Sequence, residues 1–231
     1  MISEDGFSKV TKEVIDRLEG GYYNPSWHST GDSRYSSSGE TMFGIDRKAG
    51  GSINTTPAGI DFWNTIDKNK NQSVWKWNYK GGELNSKLKD LATKVMYPVY
   101  LKDSQNYLNS KAQEIVNADP RLVFHFSYAA WNGPGWFKKF AAPINDAVVK
   151  GITNPDELTK IAIQSRLDTG NSLIVQQANK INGFINDLAK MPIDGIKKGA
   201  KLAKNNPITT IVITSVLIVS AYILYTQLKK K

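Results

Sequence analysis

Cysteine is absent from this 231-residue chain, so no disulfide, thiolate metal site or cysteine nucleophile can be built from it. Histidine is almost absent: the two present, His28 and His125, are far apart in sequence and suggest no zinc cluster. No hydrophobic stretch follows Met1, and the expectation is a chain without a secretory signal peptide. Acidic residues are also in short supply, 21 against 30 Lys and Arg, which leaves a formal net charge of +9. Such a surplus suits nucleic acid, anionic lipid or an anionic wall polymer. The lysines are dispersed and form no nucleic-acid module, so nucleic acid is not an expected partner. The segment DKNKNQS puts Asp67, Asn69, Asn71 and Ser73 on alternate positions, as a calcium loop would. However, Gln72 stands where such a loop needs glycine and Asn78 where it needs glutamate. Neither a metal nor a cofactor is expected.

What is present divides the chain. Ile208 to Leu228 reads ITTIVITSVLIVSAYILYTQL, without a charged residue, and Lys229, Lys230 and Lys231 follow. At the helical rise this run is roughly 31 Å long, matching a bilayer core of about 30 Å. The expected organisation is one domain over residues 1–188, a basic juxtamembrane linker over 189–206, a transmembrane helix over 207–228 and a basic tail over 229–231. The expected partner of residues 207–228 is the lipid bilayer.

Within the domain the periodicity is mainly helical. Phe7, Val10, Val14 and Leu18 mark an amphipathic helix, with Gly20 and Gly21 as residues able to turn left-handed and end it. A polar, turn-rich stretch follows and tightens at Met42, Phe43, Gly44 and Ile45. Thr55 or Thr56 before Pro57 starts a helix carrying Ile60, Phe62, Trp63 and Ile66. Trp75, Trp77 and Tyr79 alternate as on an extended segment. Helical spacing returns from Leu84 to Tyr100, with Pro98 expected to kink or end it, and again through Leu108 to Asp119. The most apolar helix reads LVFHFSYAAW, Leu122 to Trp131, and breaks at Asn132, Gly133, Pro134 and Gly135. The last two helices fall near 156–167 and 171–188. His125, inside the apolar helix, is read as a satisfied core residue.

Glu19 stands out in RLEGGYY. It lies four residues after Ile15, on the border of the apolar face, at the end of its helix. The negative end of the helix dipole and partial desolvation both raise a carboxyl's pKa. A raised carboxyl is what a general acid needs near neutral pH. Most glutamates in a last helical turn face solvent, so this position needs support from elsewhere.

Support comes from three segments: EGGYYNP at 19–25, SGETMFGI at 38–45 and AAWNGPGWF at 129–137. Together they resemble the lysozyme superfamily, most closely the phage and bacterial muramidases of the glycoside hydrolase family 108 type, with a Glu-Gly-Gly-Tyr segment followed by a Gly-x-Thr-x-x-Gly-Ile turn. The third segment is similar to an element of lytic transglycosylases. The likeness covers roughly residues 7–187. It implies a mainly α, lysozyme-like helical domain with a small irregular or β-containing lobe, to which the sequence adds one C-terminal transmembrane helix. It implies Glu19 as general acid, Thr41 and Gly44 in the turn facing it, Tyr22 as the aromatic after the glycines, and Asn132 and Gly133 in the cleft wall. The family usually has an acidic residue close before its turn; here Asp32 and Glu40 are rival second carboxylates. Thr41 would position water or substrate, and Tyr35, Tyr128 and Trp131 would offer rings to a sugar. The wider aromatic stock adds Trp27, Trp63, Trp75, Trp77 and Trp136, most of it expected in the core. The expected activity is cleavage of the β-1,4 bond between N-acetylmuramic acid and N-acetylglucosamine, by hydrolysis or by transglycosylation. The expected setting is a phage virion membrane or host inner membrane, with peptidoglycan glycan strands as partner. The alternative is a glycan-binding virion membrane protein without catalysis.

Overall fold

A computed structural model describes residues 2–27, 39–48, 53–75, 79–80 and 82–191. The described chain is mainly helical, with nine α-helices and one short hairpin. The helices are α1 (Glu4–Arg17), α2 (Pro57–Asn69), α3 (Gln72–Trp75), α4 (Asn85–Tyr107), α5 (Ser110–Val116), α6 (Pro120–Trp131), α7 (Pro134–Val149), α8 (Pro155–Leu167) and α9 (Ser172–Leu188). The strands β1 (Thr41–Met42) and β2 (Ile45–Asp46) pair antiparallel, Thr41 opposite Asp46 and Met42 opposite Ile45.

Caps fix most of the helix starts. Ser3, Thr56, Asn109, Asp119, Asn154 and Asn171 each accept a hydrogen bond from the first turn they precede, satisfying backbone N–H groups that the helix leaves unpaired. Pro57, Pro120, Pro134 and Pro155 stand in first turns, where the missing N–H costs nothing.

The helix α6 is the centre of the fold. Leu122 to Ala130 are all buried, and the helix packs against α1, α4, α5, α7, α8 and α9. This is why its sequence is apolar on every side rather than amphipathic. Around it, α1 lies on α4, and α4 also meets α2 and α7. Lys12 pairs with Asp90 at 2.7 Å and Lys89 with Asp16, tying α1 to α4 at the surface.

Four expectations need correction. The helix α1 ends with Leu18 as its C-cap, and neither Gly20 nor Gly21 is left-handed; the Leu18 and Glu19 N–H groups both return to the Val14 carbonyl. The helix α4 does not end at Pro98 but runs through it to Tyr107. The Phe7 ring packs at a tilt against those of Tyr97 and Tyr100, and the Tyr100 hydroxyl donates to Asn117 at 2.7 Å, so packing on both sides of the proline holds the continuation. Trp75 closes a helical turn and is buried, instead of belonging to an extended run; Trp77 lies outside the described residues. A full helix, α7, follows Gly133 where only breakers are evident in the sequence, because Pro134 is its first residue. No helix among the described residues is long and apolar enough to cross a membrane, and residues 207–228 lie outside them.

Candidate active site

The hairpin is built to bring a backbone turn against Glu19. Phe43 and Gly44, its two central residues, both have positive φ, 55° and 75°, as the mirror-image turns of two-residue hairpins require. An aromatic in that conformation is strained. Its ring is wholly buried, close to Phe62, and this burial offsets the strain. Gly44 carries no side chain for a second reason: a Cβ there would come within 2.8 Å of the Glu19 carboxyl carbon and 2.9 Å of Trp131 Nε1. The indole of Trp131, at the end of α6, donates to the Phe43 carbonyl at 2.8 Å and so clamps the turn to the helical body. The chain after Glu19 closes the other side, where Tyr23 and Thr41 exchange backbone hydrogen bonds of 2.8 and 3.0 Å.

Burial pushes the Glu19 carboxyl up from its ordinary 4.5 to about 7, the dominant effect in its environment. A hydrogen bond from Tyr128, on α6, works against this, as do the charges of Lys80 and Lys180, whereas the charge of Asp46 adds to it. Asp46 is the carboxylate that the sequence reading overlooked. It faces Thr41 across the hairpin and accepts a hydrogen bond from Thr41 Oγ1 at 2.7 Å. Asn54 donates to the carbonyls of Asp46 and Arg47 at 2.7 and 2.8 Å and accepts from Trp63 at 2.9 Å, anchoring the strand to α2. The pairing of Thr41 with the residue five positions on, across a two-residue turn, was the available signal.

A cavity of about 420 Å³ opens beside this group, and its walls include Gly44, Asp46, Trp131, Asn132 and Gly133. Thus Gly44 and Trp131 border both the Glu19 carboxyl and the cavity. Asn132 donates to the Tyr128 carbonyl at 2.8 Å, which fixes its amide at the end of α6. Gly133, at φ 113°, makes the bend from α6 into α7.

Glu19, Thr41, Gly44, Tyr128, Trp131, Asn132 and Gly133 are therefore brought together, and Tyr128 lies beneath the site as a buried donor rather than as an exposed platform. Tyr22 and Glu40 belong to a neighbouring cluster. The Tyr22 ring is 0% exposed, between Trp27 and Trp75, so it cannot touch a sugar. Its hydroxyl donates to Glu40. Glu40 also accepts from Lys70 at 2.6 Å and from Arg47. Burial alone would raise Glu40, but the bonds from Lys70, Tyr22 and Arg47 together hold it below the ordinary carboxylate value. Arg47 grips Asp67 through two hydrogen bonds of 2.8 and 2.6 Å, and Asp67 is pulled down to about 2. This cluster cross-links the hairpin to α2, and it occupies both Glu40 oxygens. Asp32 and Tyr35 lie outside the described residues.

Of the aromatic stock, Trp63 and Trp75 are core, while Trp27, Trp131 and Trp136 keep partial exposure. His125 is buried as expected, but only half satisfied: Nδ1 accepts from Arg166 Nε at 3.2 Å, and Nε2 has no partner among the described residues. Comparison with known proteins gives no match: no family model, curated protein or solved structure matches the chain.

Proposed function

We propose that this chain is a peptidoglycan-cleaving glycosidase of the lysozyme type in which Glu19 is the general acid. The observation that carries the reading is a carboxyl brought to about 7 by burial, pressed against Gly44 of the hairpin turn, which lines an open cavity. At neutral pH about half of such groups hold a proton, and a group with that balance can give the proton up and take it back.

In the forward step Glu19 donates its proton to the oxygen linking N-acetylmuramic acid to N-acetylglucosamine, and the bond from the anomeric carbon to that oxygen breaks. The carboxylate that Glu19 becomes is stabilised by the Tyr128 hydrogen bond and by Lys80 and Lys180. Hydrolysis then needs a water and a base to take its proton. Asp46, held by Thr41, is the described carboxylate nearest in influence to Glu19 and takes that role in place of Glu40, whose oxygens are engaged. The transglycosylase route needs no second carboxylate, because the sugar's own hydroxyl attacks and Glu19 recovers the proton. Reducing ends in digests of purified peptidoglycan identify the first route and anhydro-muramic ends the second. Loss of either product in a folded Glu19→Gln variant supports the assignment, and an inactive wild type overturns it.

The net charge of +9 favours a wall bearing anionic polymers. Residues 207–228 are proposed as the bilayer anchor of a lytic protein of a membrane-containing phage, in the virion membrane or the host inner membrane. Retention of the chain in carbonate-washed membranes, lost when 207–228 are deleted, tests the anchor.

A further inference from the structure

The cavity beside Glu19 holds a carboxyl that the proposed cleavage does not use. Asp103, on α4, is 4% exposed, lines the cavity, and its Oδ2 has no hydrogen-bond partner among the described residues. A buried carboxylate without a partner is costly, and a neutral donor answers only part of that cost because the charge stays uncompensated. Its neighbour Lys102 also lines the cavity but is an exposed residue, and burial outweighs the lysine's charge in raising Asp103. Met96 and Val99, seven and four residues before Asp103 on the same helix, share the lining with it, as does Ile53 from the loop before α2. Two acids, Asp46 and Asp103, line the recess with one lysine, on a protein whose net charge is +9.

A buried acid with an unpartnered oxygen, aliphatic side chains in the same lining and more acids than lysines there specify one kind of guest. We propose that the cavity is a subsite for a primary ammonium on an aliphatic chain, with Asp103 as its counter-charge. In peptidoglycan this group is the side-chain amine of the diamino acid in the peptide stem, an assignment that rests on the glycosidase reading. The methylenes lie along Met96 and Val99, and the ammonium gives Asp103 the charge-assisted hydrogen bond it lacks. The enzyme would then read the stem as well as the sugar, and uncross-linked stems, whose amine is free, would mark the preferred strands.

Binding tests this without catalysis. Full-length protein carrying Glu19→Gln is titrated calorimetrically with Nα-acetyl-lysine amide and with the analogue in which a hydroxyl replaces the amine. The amine is expected to bind at least tenfold more tightly than the alcohol, and Asp103→Asn or Asp103→Ser to abolish that preference while the protein still melts cooperatively. Equal binding of the two probes, no binding of the amine, or an unchanged preference in both variants overturns the proposal. In the active protein, Asp103→Asn is expected to lower the preference for intact over stem-free glycan strands at least tenfold through KM; an unchanged ratio counts against it. Absence of all cleavage would sink the glycosidase reading and leave the binding result standing on its own.

Discussion

Glu19 is set by few neighbours, and each can be changed singly. Replacing Gly44 by Ala puts a Cβ against both the carboxyl and Trp131 in a backbone conformation that disfavours side chains. We expect a loss of about 1–3 kcal/mol in thermal or denaturant unfolding, together with activity reduced far beyond what the loss of stability explains. Tyr128→Phe removes the donor that favours ionised Glu19, so the carboxyl should titrate above about 7 when followed by NMR. Behind Tyr128 stands Arg166, 0% exposed, with no carboxylate partner among the described residues. It donates to the His125 carbonyl at 3.0 Å, and its guanidinium lies 5.4 Å from the centre of the Tyr128 ring and 4.6 Å from that of Phe140. Burial brings Arg166 down to about 10, still a cation at neutral pH, and its charge makes the Tyr128 phenol a better donor. Arg166→Met should therefore also raise the titration of Glu19, and should add nothing once Tyr128 is Phe. A shift of equal size in both backgrounds would mean that the arginine acts directly. Glu19 was legible as a helix-end acid on an apolar border. Asp46, Asp103 and Arg166 were not: Asp46 and Arg166 act with Thr41 and His125, brought to them by the hairpin and by helix packing, and Asp103 is singled out by its place in a cavity that only the fold creates.

Among the elements, the hairpin and α6 make the site and the caps hold them in place. Asp119 caps α6 through the N–H groups of Arg121 and Leu122 and also receives the Arg121 side chain at 2.7 Å. Asp119→Ala should cost about 1–2 kcal/mol, measured by chemical denaturation. The helices legible in the sequence were those with a clean apolar period or a cap: α1, α2, α4 as far as Tyr100, α5, α6, α8 and α9. The helix α7 was hidden because Gly133, Pro134 and Gly135 resemble a terminator, although proline in a first turn is a start signal. Pro98 misled in the opposite direction: the rule for an isolated helix gave way to the aromatic contacts of Tyr97 and Tyr100 with Phe7.

For the whole molecule, two sets of carboxylates oppose each other as pH changes. Glu19 is raised on folding, so its contribution to stability is complete below about 4.5 and is lost as pH rises through about 7. Glu40 is lowered and Asp67 is lowered to about 2, so their contribution is present above the ordinary carboxylate range and is lost as pH falls. Glu19→Gln should therefore gain in melting temperature over wild type between pH 5 and pH 8, whereas Glu40→Gln should lose most at neutral pH and converge on wild type under acid. The mainly helical fold was legible from the period of the apolar residues. The division into hairpin and helical body was legible only as a turn-rich stretch, since two-residue strands have too little alternation to be read.

The most direct test of the central claim is the rate of release of soluble fragments from purified peptidoglycan across pH, for wild type and for Glu19→Gln. The account predicts wild-type activity with an alkaline limb near pH 7, where Glu19 gives up its proton, and no activity at any pH in a variant that remains folded. A Glu19→Gln protein that still releases fragments, or a wild type that releases none, would contradict it.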